Sequence, residues 1–122
     1  MIMDVSDLIG LPYKVHGRDE SGLDCFGLIW LIAKRNGTPI KDPVYKGFDP
    51  SLAKLYEFVG LKKCEFQAGC VLEIEKDGRL HLGYSIDQER MIHCTHNEGV
   101  IVENIELYKV KGYYQFKEIT WE

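Results

Sequence analysis

The chain has 122 residues, a formal net charge of −4 and the apolar content of an ordinary globular protein. This length suits one domain with a buried core, so we predict a single domain over residues 1–122. The acidic charge argues against nucleic-acid binding, which needs a basic face. Membrane insertion is not expected either, because no segment approaches the roughly 20 apolar residues that cross a bilayer.

The first residues, Met1-Ile2-Met3-Asp4, do not form a basic segment followed by an apolar one, so we expect no secretory signal. The cysteines are Cys25, Cys64, Cys70 and Cys94, and no two of them form a C-x-x-C pair. Without a sign of export we expect reduced thiols, three of them buried, rather than a disulfide framework.

The first half of the chain is predicted to be mainly helical. Residues 5–11 can form a short helix capped by Ser6, and the glycines and charges of residues 12–23 indicate a loop. An apolar helix should occupy residues 24–36, followed by an irregular connection over 37–50. A second amphipathic helix is predicted over residues 51–59.

The second half changes to the period of two that is typical of β-strands. Strands are predicted around residues 71–74 and over 80–86, 90–95, 100–105 and 110–119, with an Asp77-Gly78 hairpin turn after the first. Helices followed by an antiparallel meander indicate the α+β class, with N-terminal helices packed on a C-terminal sheet of about five strands.

Cys25 lies at the start of the predicted helix over residues 24–36. Asp24 is suited to cap this helix and Gly37 to end it. The positive end of the helix dipole would favour a thiolate at Cys25, which would make the residue reactive. The alternative is a small apolar residue at a helix start.

A thiol nucleophile needs a base, and the strands offer His81 and His93. If the strands of these residues pair across the turn Asp87-Gln88-Glu89, the two histidines occupy paired or diagonal positions on one face of the sheet. A helix N-terminus docked over that face would bring Cys25 to His81. The alternative for His81 is a half-buried, hydrogen-bonded structural histidine.

Five motifs occur in an ordered arrangement: Gly10-Leu11-Pro12-Tyr13, Gly17-Arg18-Asp19, Asp24-Cys25-Phe26-Gly27-Leu28-Ile29, His81-Leu82-Gly83 and Ile92-His93-Cys94. Together they resemble the NlpC-type family of cell-wall cysteine peptidases over roughly residues 8–103. The resemblance includes the spacing of twelve residues from Tyr13 to Cys25 and of twelve from His81 to His93. It implies a papain-like α+β fold and cleavage of peptidoglycan stem peptides, commonly at a γ-D-glutamyl–diamino acid bond.

The resemblance also implies roles for individual residues. Cys25 would be the nucleophile, His81 the general base and later acid, and His93 the residue that orients His81. Tyr13 would help form the oxyanion hole beside the Cys25 backbone amide. The reaction would pass through a thioester acyl-enzyme that water then hydrolyses.

Three residues near the cysteine are predicted to bind substrate: Arg18, Asp19 and Asp24. Arg18 and Asp19 precede the nucleophile and can line a substrate groove, with a solvated loop as the alternative. Asp24 occupies a signature position of the family, although its role as a helix N-cap is a sufficient reason for its presence.

Two positions depart from the family's usual pattern. Phe26 follows the cysteine where serine is usual, and Gly69-Cys70 replaces a usual Gly-Asp before the histidine strand. With Gly17-Arg18-Asp19 and Lys111-Gly112-Tyr113-Tyr114, the aromatic residue resembles the branch found in phage tail assembly and tail-tip proteins.

We therefore expect a cysteine endopeptidase that needs no cofactor or metal. It would be made in the cytoplasm and carried in a phage or prophage tail to the bacterial cell wall, with other tail-tip or hub proteins as partners. One alternative is a tail-tip assembly subunit that keeps the fold with little or no activity. Another is a metal site from His81, His93, Cys94 and His96, which the opposite orientations of His93 and Cys94 on one strand make awkward.

Overall fold

The computed structural model describes residues 4–41 and 60–116. Within these ranges one α-helix, α1 (Cys25–Arg35), follows a short β-hairpin and precedes a larger sheet. The strands are β1 (Arg18–Asp19), β2 (Gly22–Leu23), β3 (Leu61–Lys63), β4 (Val71–Lys76), β5 (Arg79–Ser85), β6 (Arg90–Thr95), β7 (Gly99–Asn104) and β8 (Lys109–Phe116). Short 3-10 turns cover Ser6–Leu8 and Ile105–Leu107.

The larger sheet has six antiparallel strands in the order β3-β8-β4-β5-β6-β7. The α+β class is confirmed, and β4 to β7 form the predicted meander. The prediction of about five strands missed β3, which pairs with β8 at the sheet edge. The last predicted strand corresponds to β8, which crosses back to pair with β4 instead of continuing the meander beside β7.

The first predicted helix is shorter than expected. Residues 6–8 make a single 3-10 turn, and the chain leaves it in an extended conformation at Ile9, before Gly10 adopts a φ of +94°. Ser6 does not cap this turn, because it is the first residue inside the turn and Val5 occupies the cap position. The helix predicted over residues 51–59 lies outside the described residues.

The helix α1 begins and ends where the sequence predicts. The Asp24 side chain accepts a hydrogen bond from the Gly27 N–H at 2.6 Å, which is an N-cap contact. Lys34 and Arg35 occupy the last turn, and Gly37 follows with a φ of +79°, a conformation that favours glycine. The helix is too short to span a bilayer, and no helix in the described ranges is long and apolar enough to do so.

The large sheet is apolar on both faces. The helix face, whose buried residues include Val71, Leu82, Tyr84 and Ile92, packs in one cluster with the apolar side of α1. The opposite face, here called the histidine face, carries His81 and His93 beside a smaller cluster formed by Cys70, Leu72, Ile74 and Met91. The expectation that α1 docks over the histidines was therefore wrong. The apolar side of α1 packs on the face with the larger apolar cluster, and the histidines lie on the other face.

Candidate active site

The thiol of Cys25 lies at the first residue of α1. Its sulfur accepts hydrogen bonds from the backbone N–H groups of Leu82, Phe26 and Cys25 itself, and these lower its pKa. Burial, followed by the negative charge of Asp24, has the larger effect and raises the pKa of the Cys25 thiol to about 11. The expected thiolate at the helix N-terminus is thus not favoured, and the resting residue is a protonated thiol.

His81 and His93 meet on the histidine face, as predicted. The register pairs Gly83 of β5 with His93 of β6, so that His81 lies diagonally from His93. The Nε2 atom of His81 and the Nδ1 atom of His93 are 2.8 Å apart. Both rings are buried, with 8% of His81 and 0% of His93 exposed, so their hydrogen bond is shielded from water.

Cys25 contacts β5, the strand of His81, where the β5–β6 ladder ends. The paired residues of β5 run from Gly83 to Ser85, so Leu82 lies beyond the ladder. The Leu82 N–H donates to the Cys25 sulfur there, beside His81 in the chain. No hydrogen bond joins Cys25 to His81 among the contacts of residues 4–41 and 60–116. Catalytic hydrogen bonds often tighten only when substrate binds.

Both histidines are neutral at neutral pH. Burial, aided by the charges of His93 and Lys76, lowers the pKa of His81 to about 4, against the opposing effect of Glu103. Burial also lowers the pKa of His93, although the hydrogen bond and charge of Glu103 act in the opposite direction. His81 can therefore act as a base that takes the Cys25 proton when the thiol attacks.

Glu103 and Tyr108 extend the histidine pair. The His93 Nε2 atom is 2.8 Å from Glu103 Oε1, and the Tyr108 hydroxyl donates to the same oxygen at 2.6 Å. The hydrogen bonds from Tyr108 and His93 keep the pKa of Glu103 below its usual value. Burial, together with Glu103, raises the pKa of Tyr108 to about 12. A carboxylate with two donors thus ends the chain of contacts that begins at His81.

Tyr13 lies near the Cys25 thiol. An isolated bridge joins Tyr13 to Leu23, two residues before Cys25. Burial, followed by the charges of Asp24, Cys25 and Cys94, raises the pKa of Tyr13, so its hydroxyl remains a hydrogen-bond donor. Such a donor, with the Cys25 backbone N–H, is the kind of group that stabilises an oxyanion.

Arg18 and Asp24 bind each other. Arg18 Nη1 lies 2.8 Å from Asp24 Oδ1, and the guanidinium carbon lies 5.2 Å from the centre of the Phe26 ring. Asp24 also accepts from the backbone N–H groups of His16, at 3.1 Å, and Gly27. The ion pair, the aromatic contact and the cap hold the loop before Cys25 against the start of α1.

Asp19 lies apart from this ion pair, at the tip of the β1–β2 hairpin. It is exposed and accepts from the Ser21 N–H at 2.8 Å and from the Ser21 hydroxyl at 2.6 Å, which closes the turn. The segment predicted as a loop over residues 12–23 therefore contains a short hairpin. Substrate binding by Arg18, Asp19 and Asp24 stays a prediction.

A model of the NlpC/P60 family matches residues 10–117. The chain belongs to the NlpC/P60 family. Its structure is similar to that of the NlpC/p60 domain of the peptidoglycan hydrolase SagA, with a TM-score of 0.67 and 22% identity over 91% of this chain and 92% of that one. This similarity extends over nearly the whole length of both chains.

Two further solved structures share the NlpC/P60 fold. NlpC2 from Trichomonas vaginalis has a TM-score of 0.70 at 16% identity, and the match covers 92% of this chain and 44% of that one. An NlpC/P60 family protein from Bacillus cereus ATCC 10987 has a TM-score of 0.62 at 22% identity, over 93% of this chain and 38% of that one. No curated protein sequence matches. At these identities the likeness concerns the fold.

His93 and Cys94 are adjacent in β6, and their side chains lie on opposite faces of the sheet. The Cys94 thiol is buried on the helix face and donates to the Leu23 carbonyl oxygen at 3.0 Å. Groups of three or more His, Cys, Asp or Glu side chains suited to a metal ion do not occur within residues 4–41 and 60–116. All four cysteines are free, and two of them, Cys70 and Cys94, are buried where three were expected.

Glu103 and Tyr108 were not predicted as site residues from the sequence. Glu103 had a usable signal, because it lies two residues beyond Ile101, the register partner of His93, and so shares the face of His93. Tyr108 had none. It follows the Ile105–Leu107 turn, and only the tertiary structure places its hydroxyl against Glu103.

Proposed function

We propose that this protein is a cysteine peptidase that hydrolyses amide bonds in the stem peptides of peptidoglycan. The observation that carries the proposal is the position of the Cys25 thiol, at a capped helix N-terminus beside β5, whose His81 contacts His93 of β6. Membership of the NlpC/P60 family and the similarity to the domain of the peptidoglycan hydrolase SagA support the choice of substrate.

The proposed reaction begins with a neutral thiol and a neutral imidazole. His81 takes the proton of the Cys25 thiol as the sulfur attacks the carbonyl carbon of the amide. The oxyanion is stabilised by the Cys25 backbone N–H and the Tyr13 hydroxyl. His81 then gives its proton to the nitrogen of the leaving amine as the C–N bond breaks, which leaves a thioester on Cys25.

The second half of the reaction releases the acid product. His81, neutral again, takes a proton from a water molecule whose oxygen attacks the thioester carbon. The C–S bond breaks, and the sulfur recovers a proton from His81. His93 holds the His81 ring throughout through the 2.8 Å contact between them. The net change is one water consumed for each amide bond cleaved.

The bond that we propose is the γ-D-glutamyl–diamino acid bond, and the supporting argument is the resemblance of the five sequence motifs. Arg18 and Asp19 on the β1–β2 hairpin are the proposed substrate contacts, since β1 packs against α1 close to the thiol. Because Arg18 already binds Asp24, a substrate carboxylate would have to share the guanidinium with that residue.

A phage or prophage tail is the proposed setting, with action at the bacterial cell wall and tail-tip or hub proteins as partners. Phe26 supports this proposal. Its ring is 4% exposed and lies under the Arg18 guanidinium, so the aromatic residue and the Gly17-Arg18-Asp19 motif form one structural unit. These are two of the three features by which the chain resembles the tail-associated branch.

The competing function is an assembly subunit that keeps the peptidase fold with little or no activity. The observation that favours it is the lack of a hydrogen bond between Cys25 and His81 in the described part of the chain, together with a thiol whose pKa is about 11. The retained Tyr13, Cys25, His81 and His93 set favours the enzyme.

Digestion of purified muropeptides, followed by mass spectrometry, tests the two functions. We expect the wild-type protein to release stem-peptide fragments and Cys25→Ala to release none. Cys64→Ala is the matched control, because Cys64 is a partly exposed thiol packed against the histidine-face cluster, away from α1. Equal product from wild type and Cys25→Ala would refute the peptidase, and no product from either would favour the assembly subunit.

A further inference from the structure

A continuous line of hydrogen bonds crosses three strands of the histidine face and ends outside the four residues of the proposed catalytic set. It runs from His81 to His93 over 2.8 Å, from His93 to Glu103 Oε1 over 2.8 Å, and from Glu103 Oε1 to the Tyr108 hydroxyl over 2.6 Å. His93 uses a different ring nitrogen for each of its two contacts, so the protonation of one nitrogen constrains the other.

The constraint begins at Glu103. An ionised carboxylate only accepts hydrogen bonds, so the His93 Nε2 atom must carry the proton that lies between them. Tyr108 donates to the same oxygen, and its ring stands edge-on to the His93 ring with centroids 5.2 Å apart. Tyr108 therefore restrains both the carboxylate and the imidazole that it contacts.

The constraint then passes through His93 to His81. With a proton on Nε2, a neutral His93 presents Nδ1 as an acceptor, so the proton between the rings belongs to His81 Nε2. A neutral His81 with its proton on Nε2 has its lone pair on Nδ1. That nitrogen is then the one atom of His81 that can take the proton of the thiol.

We propose that Glu103 is a positioning residue that sets the tautomers of His93 and His81, and that Tyr108 holds Glu103 in place for this purpose. Without Glu103, His93 could carry its proton on Nδ1 and donate to His81, which would put the remaining proton of His81 on Nδ1. His81 would then have no free lone pair for the thiol. The tautomers proposed are those of the protein without substrate, whereas their consequence for catalysis rests on the proposed peptidase function.

The substitution Glu103→Gln separates charge from hydrogen bonding. Both contacts use Oε1, and the Glu103 side chain is 28% exposed, so a glutamine can keep its oxygen on His93 and Tyr108 and turn its amide nitrogen toward water. Glu103→Ala removes the acceptor altogether. Glu98→Ala is the matched control, because Glu98 influences His93 by charge but makes no hydrogen bond to its ring.

The direct test is long-range ¹H–¹⁵N NMR of histidine-labelled protein without substrate. We expect wild type, Glu98→Ala and Glu103→Gln to show His81 and His93 protonated on Nε2 and unprotonated on Nδ1. Glu103→Ala should lose this pattern at His93. A wild-type His93 protonated on Nδ1, or an unchanged pattern in folded Glu103→Ala, would overturn the proposal. Far-UV circular dichroism establishes that each variant is folded, and the tautomer of His93 in the wild-type protein keeps the test decisive if the alanine variant unfolds.

Kinetics on muropeptides test the consequence for catalysis. Loss of a group that orients a metal-bound histidine typically costs roughly 10- to 100-fold in activity, and we expect a comparable cost for a histidine that acts as a base. We expect that loss in kcat for Glu103→Ala, with KM little changed, and recovery to within a few-fold of wild type in Glu103→Gln. Equal kcat in wild type and Glu103→Ala would overturn the catalytic role. An inactive wild-type protein with the expected tautomers would refute the peptidase function and leave the tautomer assignment standing.

Discussion

Replacing Asp24 separates its structural contacts from the substrate-binding role that the sequence suggests. The Asp24 carboxylate accepts from the Gly27 N–H, the His16 N–H and Arg18 Nη1, at 2.6, 3.1 and 2.8 Å. Losing an N-cap costs about 1 kcal/mol. Leaving the Arg18 guanidinium without this carboxylate adds about 2 kcal/mol, since hydrogen bonds to charged groups contribute roughly 1.5–3 kcal/mol. We expect Asp24→Ala to lose about 3 kcal/mol of unfolding free energy.

Asp24→Asn is the informative partner of that variant. An asparagine keeps the cap but removes the negative charge that raises the pKa of the Cys25 thiol. We therefore expect a loss of about 1 to 2 kcal/mol, because Asn keeps a neutral acceptor for Arg18, and a pKa of Cys25 below about 11.

Urea denaturation measures the stability of both variants, and the pH dependence of iodoacetamide alkylation measures the thiol. Gln67→Ala provides a control for the handling of variants, because the contact of Gln67 is made by its backbone carbonyl. Wild-type stability in Asp24→Ala would refute the stabilising role of the three Asp24 contacts. An unchanged alkylation profile in Asp24→Asn would refute the effect of the Asp24 charge on the pKa of Cys25. A selective rise in KM would instead support contact between Asp24 and the substrate.

Two other predictions concern acid stability and the loop before the thiol. The pKa of His81 is lowered from 6.5 to about 4, so the unfolded chain takes up a proton first as the pH falls. Stability present above pH 6.5 is therefore lost toward pH 4, by roughly 3 kcal/mol in full. Urea denaturation at pH 7 and pH 5 should show less of this loss in His81→Gln, and an equal loss would contradict the lowered pKa of His81. A Cβ atom on Gly27 would collide with the backbone carbonyl oxygen of Gly17, so Gly27→Ala should lower the unfolding free energy by roughly 1 to 3 kcal/mol. In the control Gly37→Ala the added Cβ meets no atom within 4 Å, so only the cost of the positive φ should appear. Equal unfolding free energies for wild type and Gly27→Ala would refute the close approach of Gly27 to Gly17.

Local signals in the sequence were sufficient for the elements that carry the site. Asp24 and Gly37 mark the two ends of α1 because capping depends on residues within one turn. Asp77 and Gly78 both adopt positive φ, 53° and 74°, in the hairpin that the Asp-Gly pair predicts. The diagonal relation of His81 to His93 followed from the same strand periodicity.

Features that depend on distant parts of the chain were not predictable. The sequence identified the apolar side of α1 but could not show which face of the sheet it covers. The return of β8 to β4 depends on packing between segments that are far apart in sequence. The thiol pKa also depends on tertiary burial, which has a larger effect at Cys25 than the backbone hydrogen bonds to its sulfur.

In the proposed reaction, Cys25 forms a thioester with the acyl part of its substrate. Hydroxylamine attacks thioesters faster than amides, so muropeptide digestion in its presence gives a direct measurement by mass spectrometry. We expect the acyl fragment to appear partly as a hydroxamate and partly as a carboxylate, with a hydroxamate proportion that rises with hydroxylamine concentration. Cys25→Ala should form neither product. Cleavage that yields the carboxylate alone at every hydroxylamine concentration would contradict the thioester.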